Sequence, residues 1–149
     1  FCCDGVRMLK IKGFTLIELI VTMAVLAIIA TLAVPAFSDI RGKQNLTTSQ
    51  QELIAVLNEA RSKAVLDRRE VTVQLNNDTA NTDTQLNWMP SGATVLQVGS
   101  PTSIVFRMNG LVNATTDTTF VLCDPTGKKS KTVGISKMGT IHNSADGTC

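Results

Sequence analysis

Residues 14–37, FTLIELIVTMAVLAIIATLAVPAF, contain no Lys or Arg and a single ionisable side chain, Glu18. As a helix rising 1.5 Å per residue, 24 residues extend about 36 Å, enough to cross a hydrocarbon core of roughly 30 Å. The run is therefore a transmembrane candidate. Lys10 and Lys12 precede it and Arg41 and Lys43 come after it, so flanking charge alone does not set its orientation. A secretory signal would carry a shorter apolar core followed by a small-residue cleavage site. Here the change of character falls before the apolar run, at Gly13/Phe14, where a short basic stretch meets the helix.

An ionised carboxylate within lipid costs at least a few kcal/mol, so Glu18 calls for a partner or for protonation. No basic side chain lies inside the span. Cleavage after Gly13 would create an α-amine on Phe14, four residues before Glu18, able to neutralise the carboxylate of the same or a neighbouring chain. Such a pair sets register between packed helices. The plainer alternative is an acid tolerated near the membrane interface.

At 149 residues the chain has room for one membrane segment and one small globular domain. Composition shifts near residues 38–43, and from Arg41 to Cys149 the chain has the character of ordinary soluble protein. Of 14 basic and 12 acidic side chains, Arg7, Lys10, Lys12 and Asp4 precede Phe14, so the remainder is neutral at eleven of each. Net charge thus gives no reason to expect a nucleic-acid or anionic-membrane partner, although Lys128, Lys129, Lys131 and Lys137 cluster in sequence. A solvated basic loop is the plainer reading of that cluster.

Pro35 removes a backbone donor and crowds the preceding turn, so a kink is expected there, with Gly42 as a second soft point. From Lys43 to about Arg68 a helical period returns: Leu46, Leu53, Leu57, Ala60 and Ala64 share a face, interrupted by Gln50, and this half should pack on a sheet. After Arg69 the period becomes two in Glu70–Leu75, the first expected strand. Asn76–Gln85 is polar and reads as a mobile loop. Further strands are expected at Thr94–Val98, Ser103–Arg107, Thr119–Cys123 and Lys131–Ser136, which predicts a mainly antiparallel sheet.

The segment KGFTLIEL, Lys12 to Leu19, resembles the class III signal of type IV pilins and pseudopilins: a basic leader ending in Gly, then Phe, then Glu fifth in the mature chain. The resemblance implies that prepilin peptidase cuts between Gly13 and Phe14 and N-methylates Phe14. It further implies that Glu18 pairs with the N-terminus of an adjacent subunit during assembly, and Pro35 matches a proline common in such helices. Residues 1–13 are expected to be the leader. FCCDGVR has no counterpart in the family, so Met8 is the expected true start and residues 1–7 a mis-assigned one.

A second resemblance covers most of the remaining chain. LNEARSKAVLDRREVTVQL, SIVFRMNG, TTFVLCD and KTVGISKMGTI are similar, in that order, to the GspH/FimT family of minor pilins and pseudopilins. The implied fold is α+β and pilin-like: a long N-terminal helix, with a transmembrane half and an amphipathic half, packed on a mainly antiparallel sheet domain spanning 38–149. The Cys-containing strand and terminal Cys resemble FimU-like minor pilins, which implies a place in a tip complex that primes pilus assembly. Implied partners are other minor and major pilins, prepilin peptidase and the inner-membrane assembly platform. The implied location is the bacterial inner membrane, with the soluble domain periplasmic, and afterwards the pilus.

A domain anchored outside the inner membrane meets an oxidising periplasm, so Cys123 and Cys149 are expected to form a disulfide. The loop it closes corresponds to about 3–4 kcal/mol in the chain-entropy model. It would tether the tail HNSADGTC, which has almost no apolar residues to hold it. Metal binding by the two thiols lacks enough neighbouring His or Cys.

No enzyme, cofactor or metal is expected. His142, the only histidine, sits in a Ser/Asn/Gly-rich tail without a Ser-His-Asp or Cys-His pattern, and reads as a surface residue. GKKSK, Gly127 to Lys131, lacks the upstream glycine of a phosphate-binding loop. The FimT branch of the resembled family includes minor pilins that bind DNA through a basic GRxR-like motif, but here the stretch is GTIH, Gly139 to His142. DNA would have to use Lys128, Lys129, Lys131 and Lys137 instead. The expected function is a minor pilin that primes or caps the pilus. A DNA-uptake pilin and a type II secretion pseudopilin remain open alternatives.

Overall fold

A computed structural model of the chain describes residues 13–149, apart from the side chains at 33–36. Residues 1–12, including Met8 and most of the expected leader, and the Pro35 side chain at the expected kink lie outside the described residues. The chain divides into two units, one ending at Phe37 and the other comprising Ser38–Cys149.

Helix α1, Leu16–Asp67, runs through both units. Its start is set by Thr15, whose Oγ1 accepts the Glu18 backbone N–H at 3.3 Å, satisfying one of the N–H groups the first turn leaves unpaired. Along the first unit, the hydroxyls of Thr22 and Thr31 donate to Leu19 O at 2.9 Å and Ile28 O at 2.7 Å, so these polar groups are satisfied within the helix. Among the described residues, its large apolar side chains are at least half exposed all round, from Val25 at 50% to Leu16 at 76%.

Within the second unit the same helix becomes one-sided. Leu46, Leu53, Leu57, Ala60 and Ala64 are all buried, the stripe that the 3.6-residue period predicts. The helix stops without a glycine: Arg68 takes a left-handed conformation at φ 50°, and Arg69 N–H donates back to Ala64 O at 3.2 Å.

Two sheets complete the second unit. The first joins β1 (Val71–Leu75), β2 (Gln85–Trp88) and β4 (Ser103–Phe106) in the order β2-β1-β4. The second has β3 (Val95–Leu96), β5 (Thr118–Asp124), β6 (Lys129–Ile135) and β7 (Ile141–Asn143) in order β3-β5-β6-β7, with β8 (Gly147–Thr148) also on β6. Alternation along β1 (Val71, Val73 and Leu75 inward) and along β5 and β6 (Phe120, Leu122, Val133, Ile135) feeds one core shared with the helix stripe.

Every described pairing is antiparallel except β1 with β2, which is parallel, with Val73 opposite Leu86 and Leu75 opposite Trp88. The strand β2 is absent from the sequence expectation, and the polar segment before it is tied down rather than loose. Asn87 Nδ2 donates to Thr79 O and Ala80 O at 3.1 and 3.0 Å, and its N–H donates to Asn81 Oδ1 at 2.7 Å. Asn and Asp favour such local side-chain to backbone bonds. The tail also differs from a simple tether: β7 and β8 both pair with β6.

Candidate functional site

The features that distinguish the molecule lie along α1. Gly13 is exposed and Phe14 is 87% exposed, so the bond between them is accessible. Glu18 stands exposed in the first turn of the helix, where the positive end of the helix dipole favours a carboxylate. The expected assembly residues therefore stand together at one end of an apolar cylinder. Thr15 is the residue that sequence reading missed; the signal was present as T-x-x-E, the spacing of a capping box immediately before an apolar run.

Length and apolarity sufficient to cross a membrane are not met by a single helix among the described residues, but Leu16–Leu32 and Phe37–Asp67 meet them when taken together.

In the second unit polar side chains of α1 hold the loops of the sheets. The backbone N–H of Ser91 donates to Ser49 Oγ at 2.8 Å, and Ser91 Oγ donates to Glu52 Oε2 at 2.9 Å. Asn45, one turn earlier, fills the space a side chain on Gly92 would need. Further along, Arg61 donates to Gly139 O at 2.9 Å and Met138 O at 3.2 Å. Gly139 has φ +79° and faces the Gly110 carbonyl so closely that a Cβ there would clash. The turn Ser136–Gly139 is thus pinned by a helix arginine and leads into β7, where His142 lies over Gly134 of β6.

Gly42, expected as a soft point, is instead a place of close approach: the Asp124 carboxylate occupies the space its side chain would fill. Asp124 is buried and accepts the backbone N–H groups of Thr126 and Gly127, both at 3.1 Å, closing the β5–β6 turn. Beside it Cys123 and Cys149 form the disulfide, with Cα atoms 5.8 Å apart.

The lysines that neighbour one another in sequence separate in space. Lys128 and Lys129 stand at the start of β6, which extends about 20 Å at strand spacing, while Lys137 lies beyond its far end. Lys131 pairs with Asp146 at 3.0 Å. No group of three or more His, Cys, Asp or Glu side chains able to hold a metal ion occurs among the described residues.

A long helix, apolar all round at first and then one-sided, leading into sheets that share one core with it, defines a pilin-like subunit. The family model for type II transport protein GspH matches residues 49–139, and the chain belongs to that family of type IV minor pilins and pseudopilins. The prokaryotic N-terminal methylation motif matches residues 8–34. A fimbrial protein of Pseudomonas aeruginosa is 35% identical over 60 residues, 40% of this chain and 38% of that protein. The chain therefore spans about two fifths of the length of the first curated relatives it matches. Type II secretion system protein H of Pseudomonas aeruginosa is 25% identical over 103 residues, 66% of this chain and 60% of that protein. The fold matches a crystal structure of the Pseudomonas aeruginosa type IV minor pilin FimU, with a TM-score of 0.54 at 21% identity, covering 69% of this chain and 90% of that one.

Proposed function

We propose that the chain is a minor subunit of a type IV pilus that helps to start or cap the filament. The observation that carries this reading is the N-terminal end of α1: an accessible Gly13–Phe14 bond, then a capped helix with Glu18 in its first turn and apolar residues on every side. Prepilin peptidase cuts after Gly13 and methylates the new amine of Phe14, and that amine neutralises Glu18 of an adjacent subunit. Residues 14–37 hold the chain in the inner membrane before assembly and in the filament core afterwards, where neighbouring helices supply the apolar surroundings. Pro35 provides the kink, and the 38–149 domain stays in the periplasm until it is exported on the pilus. Its partners are other minor and major pilins and the inner-membrane assembly platform.

A second reading, a minor pseudopilin of type II secretion, is favoured by the match to type II secretion system protein H, which extends over more of the chain than the fimbrial matches. Deleting the gene separates the two: loss of surface pili and twitching with secretion intact supports the pilus, and the reverse supports the pseudopilus. The shared part of the proposal is tested by intact mass spectrometry after co-expression with prepilin peptidase. The expected mature N-terminus is methylated Phe14; an N-terminus elsewhere would contradict it.

A further inference from the structure

We infer that the cleft between the start of the soluble part of α1 and the β6–β8 ladder is a binding site for a phosphate ester, of the kind carried by an anionic glycerophospholipid headgroup. The cavity has a volume of about 330 Å³ and is lined by Lys43 of α1, by Lys129 and Lys131 of β6, and by Leu46, Asp146 and Gly147. Three lysines and one aspartate are thus in its lining, and the buried Asp124, opposite Lys129 across β5 and β6, is engaged by the backbone N–H groups of Thr126 and Gly127. Lys129 and Lys131 are two apart on a strand and so share a face of β6, while Lys43 comes from the helix.

Lys131 is the most confined of the three. Its side chain is 16% exposed, and its ion-pair partner Asp146 is 67% exposed on the short tail between β7 and β8. A mostly covered lysine side chain held by one exposed carboxylate is a position where an incoming anion can replace or join that partner. Lysine suits the exchange because its compact charge on a flexible stem binds phosphate without a fixed fork geometry. The lysine stems supply an apolar wall for the glycerol part of the ligand.

The place of the cleft selects the source. Lys43 comes after Phe37, the end of the apolar run, by six residues, or about 9 Å along a helix. Lys43 is therefore close in sequence to the end of the proposed membrane anchor, where lipid phosphates would be near. An extended nucleic acid is a poorer fit, because the charges converge on one pocket rather than forming a stripe, and Lys137 lies away from it.

The test uses the full chain, isotope-labelled, in phosphatidylcholine nanodiscs, reading the amide resonances of Ser130, Gly147 and Thr148. Titrated glycerol phosphate should shift these saturably, and nanodiscs containing phosphatidylglycerol should shift them in the same direction. Losing one close charge partner should weaken binding about fivefold, so Lys43→Gln and Lys129→Gln should each raise the apparent Kd by that factor. Lys137→Gln should leave it unchanged, and Asp146→Asn, which removes the competing carboxylate, should tighten it. Response to glycerol phosphate without response to phosphatidylglycerol would keep the phosphate site and overturn lipid as its source. No saturable shift, equal weakening by Lys137→Gln, or a response to duplex DNA alone would overturn the proposal. Because the readout does not involve filament formation, its failure leaves the pilin reading untouched.

Discussion

The two halves of α1 obey the same backbone geometry and opposite surface rules. Up to Leu32 the large apolar side chains are exposed on every side, whereas beyond Gly42 a stripe of apolar side chains, Leu46, Leu53, Leu57, Ala60 and Ala64, is buried, and only Val65 and Leu66 near the helix end stand out as exposed large apolar residues. A one-sided helix is completed by its own domain. An all-round apolar helix is completed by lipid or by other helices, so under the proposed function the first half serves assembly while the second serves folding.

That division can be broken most forcefully in the buried stripe. Leu57→Ala should destabilise the 38–149 domain by about 2–5 kcal/mol, measured by denaturant unfolding, because it leaves a cavity in a closed core. Leu26→Ala, at an exposed position of the first half, should leave that unfolding transition where it is. Equal losses from the two substitutions would dissolve the contrast.

Next in size is the disulfide. Cys149→Ser should lower stability by about 2–4 kcal/mol and loosen β8, seen as faster amide exchange at Ser130 and Thr148, whose strands are paired there. Smaller again is the arginine clasp: Arg61→Ala should cost about 1–3 kcal/mol by leaving the Met138 and Gly139 carbonyls without their charged donor. The smallest effect belongs to the first half. Thr15→Ala should fray the first turn by about 1 kcal/mol, visible as faster exchange at the Glu18 amide, with no change in the second unit.

The same contrast decides what the sequence could tell. The buried face of the second half comes directly from its 3.6-residue period, and β1, β4, β5 and β6 come from short apolar alternations near their expected positions. The strand β2 was illegible because QLNW is short and comes after a polar segment; its pairing to β1 depends on Asn87 drawing that segment into place. The strands β7 and β8 were hidden for a related reason. Apart from Ile141, which packs on the core, they are completed by β6, by the disulfide and by the Lys131–Asp146 pair rather than by apolar residues of their own.

The candidate site divides in the same way. Gly13, Phe14 and Glu18 stood out because a carboxylate in an apolar run is a local anomaly, and their roles belong to the proposed function. Arg61 was not, since its partners Met138 and Gly139 lie 77 and 78 residues away and are met through backbone carbonyls, which no side-chain pattern reveals. The lysine cluster shows the converse error: proximity in sequence put Lys137 with Lys129 and Lys131, whereas folding replaces it with Lys43 at the cleft.

The most direct measurement is the amount of full-length chain recovered in sheared pili for Glu18→Ala against the unaltered protein, with the soluble domain checked by its unfolding transition. Under the proposed pairing, removing Glu18 leaves a neighbour's α-amine uncompensated, and a penalty above about 1.4 kcal/mol lowers incorporation tenfold or more. The account predicts that loss with an unchanged unfolding transition. Undiminished recovery in pili, or a loss that simply tracks unfolding of residues 38–149, would contradict the assignment of assembly to the first half of the helix.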